Sequence, residues 1–203
     1  MRILVLILAR SGSKRLPKKN LKILGKIPLI QWTIDFAKLI DSESIMLSTD
    51  DRSISEIGLK NNILVPWIRP RELSGDKATS ACAAIHAINW YEKNYHKIDG
   101  IILLQPTSPF RNLKEIKKGI MDFKKNKDPI IAVYHNKKAK SGFIIKNKIA
   151  KKLKRISNGF QTKNKIYTPT GSFYIIKPKD LREYRSFYNL RAKPLIISKR
   201  KYQ

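Results

Sequence analysis

The sequence predicts an α/β fold in three layers, a mostly parallel central sheet with helices on both faces. Three observations carry this. Short runs rich in Ile, Leu and Val alternate with longer stretches of helical periodicity. The runs Ile3–Leu8 and Ile101–Leu104 are apolar at every position, as strands covered on both faces are. Repeated strand–helix–strand order then calls for crossover connections, which join parallel strands.

The elements follow in turn. Beyond the first strand and a polar loop, Leu29, Trp32, Phe36 and Leu39 recur at helical spacing, with Ile30, Ile34 and Ala37 widening the apolar face. Ile45–Leu47 predicts a second strand, and a short helix over Ser53–Lys60 precedes the apolar piece Ile63–Val65. The stretch from Pro66 to Lys77 holds two prolines and a glycine, so it is a loop. Ala78, Ala81, Cys82, Ile85, Ile88 and Trp90 mark a helix ending near Tyr95. Ile101–Leu104 is a buried strand closed by Pro106; Leu113, Ile116, Ile120 and Phe123 make the next helix, and Ile130–Tyr134 the next strand. Residues 135–170 turn Lys- and Asn-rich, with short apolar pieces such as Phe143–Ile145, and predict an excursion: a β-hairpin, a dimerisation arm or a flap. Ser172–Ile176 and Leu195–Ile197 return as strands around a helix from Pro178 to Tyr184. Residues 1–203 read as a single domain, with no internal repeat or linker.

A chain of 203 residues with 42% hydrophobic side chains can bury a full core. Its one cysteine, Cys82, excludes an internal disulfide and fits a reducing compartment. No stretch reaches the ~20 apolar residues of a membrane helix. The Ile3–Ala9 run is too short for that role, and Arg10 closes it without a small-residue cleavage site. A soluble, cytoplasmic protein is expected. The net charge is +28 and uneven: residues 123–203 hold 23 basic and 3 acidic side chains. Such a field attracts phosphorylated substrates, nucleic acid or anionic membranes; a lysine-biased composition produces it equally well. The lysines are scattered and lack interleaved aromatics, so nucleic acid is not the expected partner. A non-catalytic polyanion binder stays as the alternative reading.

The loop Ala9-Arg-Ser-Gly-Ser-Lys-Arg-Leu-Pro-Lys-Lys-Asn20 follows the first strand, at the carboxyl edge where open α/β sheets bind ligands. It is neither a Walker loop nor a G-x-G-x-x-G turn. Its small residues let backbone N–H groups approach a ligand, and five cations fall within Arg10–Lys19. A loop so built can cradle a triphosphate and stabilise a departing pyrophosphate. A basic surface loop has the same composition.

That loop, continued through Leu21 and followed by Leu24-Gly-Lys26 and a helix opening at Pro28, resembles the N-terminal signature of acylneuraminate cytidylyltransferases, the CMP-sialic acid synthetase family. Further segments match in order: Ser48-Thr-Asp50; Arg69-Pro-Arg-Glu-Leu-Ser74 with Asp76, Ala78 and Ser80; Leu103-Leu-Gln-Pro-Thr-Ser-Pro-Phe-Arg111; and, more weakly, Thr170-Gly-Ser-Phe-Tyr-Ile175. The resemblance implies a Rossmann-like nucleotidyltransferase fold and transfer of CMP from CTP to a nonulosonic (sialic-type) acid, releasing pyrophosphate. It implies Arg10, Lys14 and Lys19 as catalytic cations on the CTP phosphates, with Ser11, Gly12 and Asn20 beside the nucleotide. Arg69, Ala78 and Ser80 would read cytosine, while Gln105, Lys140, Thr168 and Thr170 would meet the sugar. Asp50 and Asp76 are expected to hold loops, Arg111 to cap local structure, and His86 and Cys82 to be packed side chains.

The resemblance also implies a homodimer and Mg²⁺. In the family, two aspartates of a late Ser-Ile-Asp-Ile-Asp segment bind that metal, just after the strand at Leu195–Ile197. Here Ser198-Lys-Arg-Lys-Tyr-Gln203 stands about where that segment should begin, so either the chain is truncated or metal binding is lost or rebuilt, and reduced activity is expected. Thr168 stands where sialic acid enzymes often carry Arg, which brings legionaminate, pseudaminate or another nonulosonate level with N-acetylneuraminate. Another sugar such as Kdo is the remaining enzymatic alternative.

Overall fold

A strand whose every side chain is apolar must be covered on both faces, and the computed structural model has that architecture. It describes residues 1–13, 16–136, 142–146, 149–152, 165–188 and 192–197. Among these the strands are β1 (Ile3–Ala9), β2 (Ile23–Leu24), β3 (Ile27–Pro28), β4 (Ser44–Thr49), β5 (Gly100–Leu104), β6 (Ile130–His135), β7 (Phe143–Lys146), β8 (Ile149–Lys152), β9 (Tyr167–Ile176) and β10 (Lys193–Ile196). The helices are α1 (Leu29–Ala37), α2 (Arg52–Lys60), α3 (Ser80–Asn94), α4 (Leu113–Asn126) and α5 (Pro178–Tyr184).

The central sheet runs β10-β6-β9-β5-β1-β4. β1 pairs parallel with β4 and β5, and β10 parallel with β6. Alternation along β1 sorts its side chains into two layers. Val5 and Ile7 join Ile30 and Ile34 of α1, Ile54 of α2 and Phe123 of α4 on one face. Leu4 and Leu6 join Ala84, Ile88 and Tyr91 of α3 and Leu181 of α5 on the other. Short polar side chains cap the starts of α2, α3 and α4. Asp51 accepts from the Ser53 and Ile54 amides, Thr79 from Cys82 and Asn112 from Lys114, satisfying amides that have no partner inside the helix. The second face is also tied by charge, Arg182 of α5 donating to Glu92 of α3 at 2.6 Å.

Several expectations change. β9 begins at Tyr167 rather than Ser172 and runs antiparallel between β5 and β6. Its early part, Thr168-Pro-Thr-Gly171, lacks the apolar alternation that marks strands, because its pairing partners rather than its own side chains hold it extended. Within the apolar piece Ile63–Val65, Leu64 makes an isolated parallel bridge to Met46. α1 stops at Ala37, which leaves Leu39 exposed, and its buried stripe is Ile30, Thr33, Ile34 and Ala37. Cys82 is half-buried rather than packed away, and Thr79 Oγ1 donates to its sulfur at 3.2 Å. Within 135–170, β7 and β8 form an antiparallel hairpin joined to β9 at Phe143 and Tyr167. No described helix is long and apolar enough to cross a membrane.

Candidate active site

The loops after β1, β4 and β5 meet at the carboxyl edge of the sheet around a cleft of about 480 Å³. Of the residues named from sequence, Arg10, Gly12, Lys19, Asn20, Arg69, Ala78, Ser80 and Gln105 line it. Leu73–Asp76, Thr79 and Thr107 line it too, without having been singled out as ligand contacts. Their place follows from the Arg71–Leu73 3₁₀ turn, which folds the second loop back over the first. Lys14 and Lys140 lie outside the described residues.

The first loop is organised from within. Asn20 is buried, and its side-chain amide donates to the Arg10 carbonyl at 3.0 Å, drawing the two ends of the loop together. Lys18 enters the following 3₁₀ turn with φ 50°, a left-handed bend that turns the chain back. Ser11 does not line the cleft; its amide and its hydroxyl both donate to Asp50, at 2.8 and 2.6 Å. The Arg10 guanidinium lies 3.6 Å from exposed Asp76, so the first and second loops also touch across the mouth.

Arg69 is only 5% exposed. Its amide donates to the Thr49 carbonyl at 2.7 Å and its Nε to Ser74 Oγ at 3.1 Å, which fixes the guanidinium against the end of β4. Burial pushes its pKa below the ordinary arginine value; Asp50 opposes that shift and the charge of Arg10 adds to it. The Ala78 amide donates to the Gly75 carbonyl at 3.1 Å, closing the loop just ahead of α3. His86 meets Trp67 edge to face, with centroids 4.8 Å apart. Burial and the charge of Arg69 lower its pKa, and its Nδ1 is buried with no hydrogen-bond partner among the described residues.

Behind Gln105 stands Arg111, more than a local cap. Nε donates to the Ser172 carbonyl at 2.8 Å, Nη1 to Thr33 Oγ1 at 3.2 Å and Nη2 to the Gln105 carbonyl. No carboxylate pairs with it among the described residues, and burial lowers its pKa to about 9. One guanidinium thus binds α1, the end of β5 and β9 together. Gly171 approaches Gln105 so closely that an added Cβ would lie 2.8 Å from Gln105 Oε1, and its φ is +71°. Ser108 locks the same corner by donating to the Thr170 carbonyl at 2.8 Å. Thr168 and Thr170 do not line the cleft. Thr168 accepts from Asn136 at 3.2 Å, and the Thr170 hydroxyl lies 2.6 Å from that of Ser172.

Among the described residues no group of three or more His, Cys, Asp or Glu side chains is set to hold a metal. Asp50 is engaged by Ser11, and Asp76 lies against Arg10. Both of these carboxylates thus already face donors or a cation of the protein. The stretch after Ile197, where the family's aspartate pair would fall, lies outside the described residues.

A family model described as Cytidylyltransferase matches residues 4–201. The CMP-N,N'-diacetyllegionaminic acid synthase of Legionella pneumophila is 33% identical over 208 residues, covering 98% of this chain and 88% of that protein. A pseudaminic acid cytidylyltransferase of Campylobacter jejuni is 36% identical over 135 residues, covering 64% of this chain and 57% of its own length. In fold, the chain is similar to a CMP:2-keto-3-deoxy-manno-octonic acid synthetase complexed with CTP. The TM-score is 0.79 at 15% identity, with 98% of this chain and 91% of that one covered.

Proposed function

The chain belongs to the cytidylyltransferase family, and on that premise we propose that it transfers CMP from CTP to a nonulosonic acid, releasing pyrophosphate. The observation that carries the reading is the facing pair of loops: a cation-bearing turn after β1 and, across the same cleft, the buried guanidinium of Arg69.

In the proposed reaction the anomeric hydroxyl of the sugar attacks the α-phosphorus of CTP. The bond to the bridging oxygen breaks, that oxygen leaves on pyrophosphate, and the proton of the hydroxyl is released to water. Little covalent work falls to the protein; catalysis is alignment plus neutralisation of charge that grows on the leaving group. Arg10 and Lys19, with Lys14, supply that neutralisation. The Gly12 amide is accessible to a phosphate oxygen, while Ser11 and Asn20 hold the turn in shape. Arg69 and the start of α3 at Ser80 take the cytosine edge, whose O2 and N3 accept hydrogen bonds. Gln105 faces the sugar; Lys140, Thr168 and Thr170 are assigned to it by the family resemblance alone. Mg²⁺ is proposed only as a companion of the triphosphate, as nucleotide magnesium commonly is. A cytoplasmic homodimer completes the proposal.

A legionaminate-type acid is the first acceptor to try, because a relative matched over 98% of this chain and 88% of its own length is named for one. The octonic acid synthetase is similar at 15% identity only, which makes Kdo the weaker alternative. Incubation of the protein with CTP, UTP or ATP, Mg²⁺ and a panel of such acids is expected to release pyrophosphate with CTP and a nonulosonic acid. Equal thermal shifts by CTP and ATP, with no pyrophosphate from any pair, would refute the assignment. Within this reading Gly171→Ala is expected to raise the acceptor KM about tenfold or more while leaving CTP affinity within about twofold. The new methyl meets Gln105 Oε1 and the backbone sits where L-residues are strained.

A further inference from the structure

Asp50 stands where two loops distant in sequence meet. It is the first residue past β4, and its carboxylate is shared between them. Oδ1 accepts the Ser11 amide at 2.8 Å and Oδ2 the Ser11 hydroxyl at 2.6 Å. Arg69 Nη2 lies 3.6 Å from Oδ1, the side chains of Arg69 and Asp50 being 4% and 17% exposed. A carboxylate offers two oxygens and about four lone-pair sites, so one group can satisfy a turn and a guanidinium together. Among the described residues Ser74 takes Nε of Arg69 and Asp50 faces Nη2, so the guanidinium is held from two sides.

We propose that Asp50 is the positioning residue that couples the phosphate-binding turn to the base-reading arginine, so that the strength of base discrimination depends on the state of Ser11. The proposal rests on the cytidylyl-transfer reading above. Asp50 touches neither phosphate nor base in it. It acts through Ser11, whose two donors it takes, and through Arg69, whose orientation its charge sets. A purely structural carboxylate would affect stability and overall affinity without changing which base is preferred.

The test is calorimetric titration of CTP and UTP, with Mg²⁺ present, into the wild-type chain, Asp50→Asn and Ser11→Ala, with melting temperatures recorded. Asp50→Asn keeps the size and one acceptor but removes the charge facing Arg69. CTP affinity is expected to fall by about tenfold or more, and the CTP:UTP preference by a similar factor, in line with loss of a charge-assisted contact. Ser11→Ala frees one carboxylate oxygen to close on Arg69. It is expected to shift the base preference by about threefold or more, although Ser11 lies in the other loop. Loss of CTP affinity in Asp50→Asn with the preference unchanged overturns the coupling, as does a wild-type result. If Asp50→Asn does not fold, Ser11→Ala decides: an unaltered CTP:UTP ratio overturns the proposal, and a shifted one supports it. A wild-type chain that does not prefer CTP defeats the cytidylyl-transfer reading itself, and the coupling with it.

Discussion

Arg111→Ala is expected to lower the melting temperature by roughly 6–20 °C, the shift that a loss of about 3–5 kcal/mol produces in a chain of this size. The side chain is buried and serves three acceptors on three elements: the Gln105 carbonyl, the Ser172 carbonyl and Thr33 Oγ1. Truncation takes the donor from the Ser172 carbonyl and Thr33 Oγ1, at about 1–3 kcal/mol for each acceptor left unsatisfied, while the Gln105 carbonyl keeps the Ser108 amide at 3.0 Å; it also opens a cavity between α1 and the sheet. Two effects oppose each other here. Removing an arginine with no carboxylate partner among the described residues recovers a desolvation cost, since burial has already lowered its pKa to about 9. Arg111→Met separates the cavity from the lost hydrogen bonds: it fills most of the volume but leaves the same acceptors without a donor. Its melting temperature should lie between those of the wild type and the alanine variant. Its turnover should still drop, by about tenfold or more, because the Gln105 and Ser172 carbonyls are released all the same. A methionine variant with full activity would show that the guanidinium only fills space.

The second large effect is catalytic. Arg10→Ala combined with Lys19→Ala is expected to reduce kcat/KM for CTP by about 10³-fold, the scale on which loss of charge-stabilising groups acts. The melting temperature should change little, since Arg10 is 43% exposed and its contact with Asp76 is a surface pair. Both side chains line the cleft, and the leaving pyrophosphate gathers charge as the bond breaks, so the loss should appear in kcat as well as KM. Initial rates of pyrophosphate release across a CTP series measure both. A double variant that changed KM alone would place the two cations on ground-state binding. One that changed neither would move the phosphates elsewhere.

Much of this protein was decided by local sequence. The continuous apolar run Ile3–Ala9, the helical spacing from Ala81 to Ile88 and the caps Asp51, Thr79 and Asn112 settle where strands and helices form, because burial and capping act over a few residues. The basic turn Arg10–Lys19 could be picked out for the same reason: strand, small residues and cations are adjacent in the chain. The extent of β9 was not legible. Thr168-Pro-Thr-Gly171 looks like a loop, and only pairing with β6 holds it extended. Arg111 reads as a loop arginine, and its three acceptors come from positions 33, 105 and 172. The junction of Ser11, Asp50 and Arg69 spans nearly sixty residues and exists because β1 and β4 pair in parallel, so that their carboxyl ends lie side by side. Sequence determined the segments and the chemistry each could offer. Tertiary structure alone decided which of those groups share a cleft, because sheet order and register are set by long-range pairing that no local window contains.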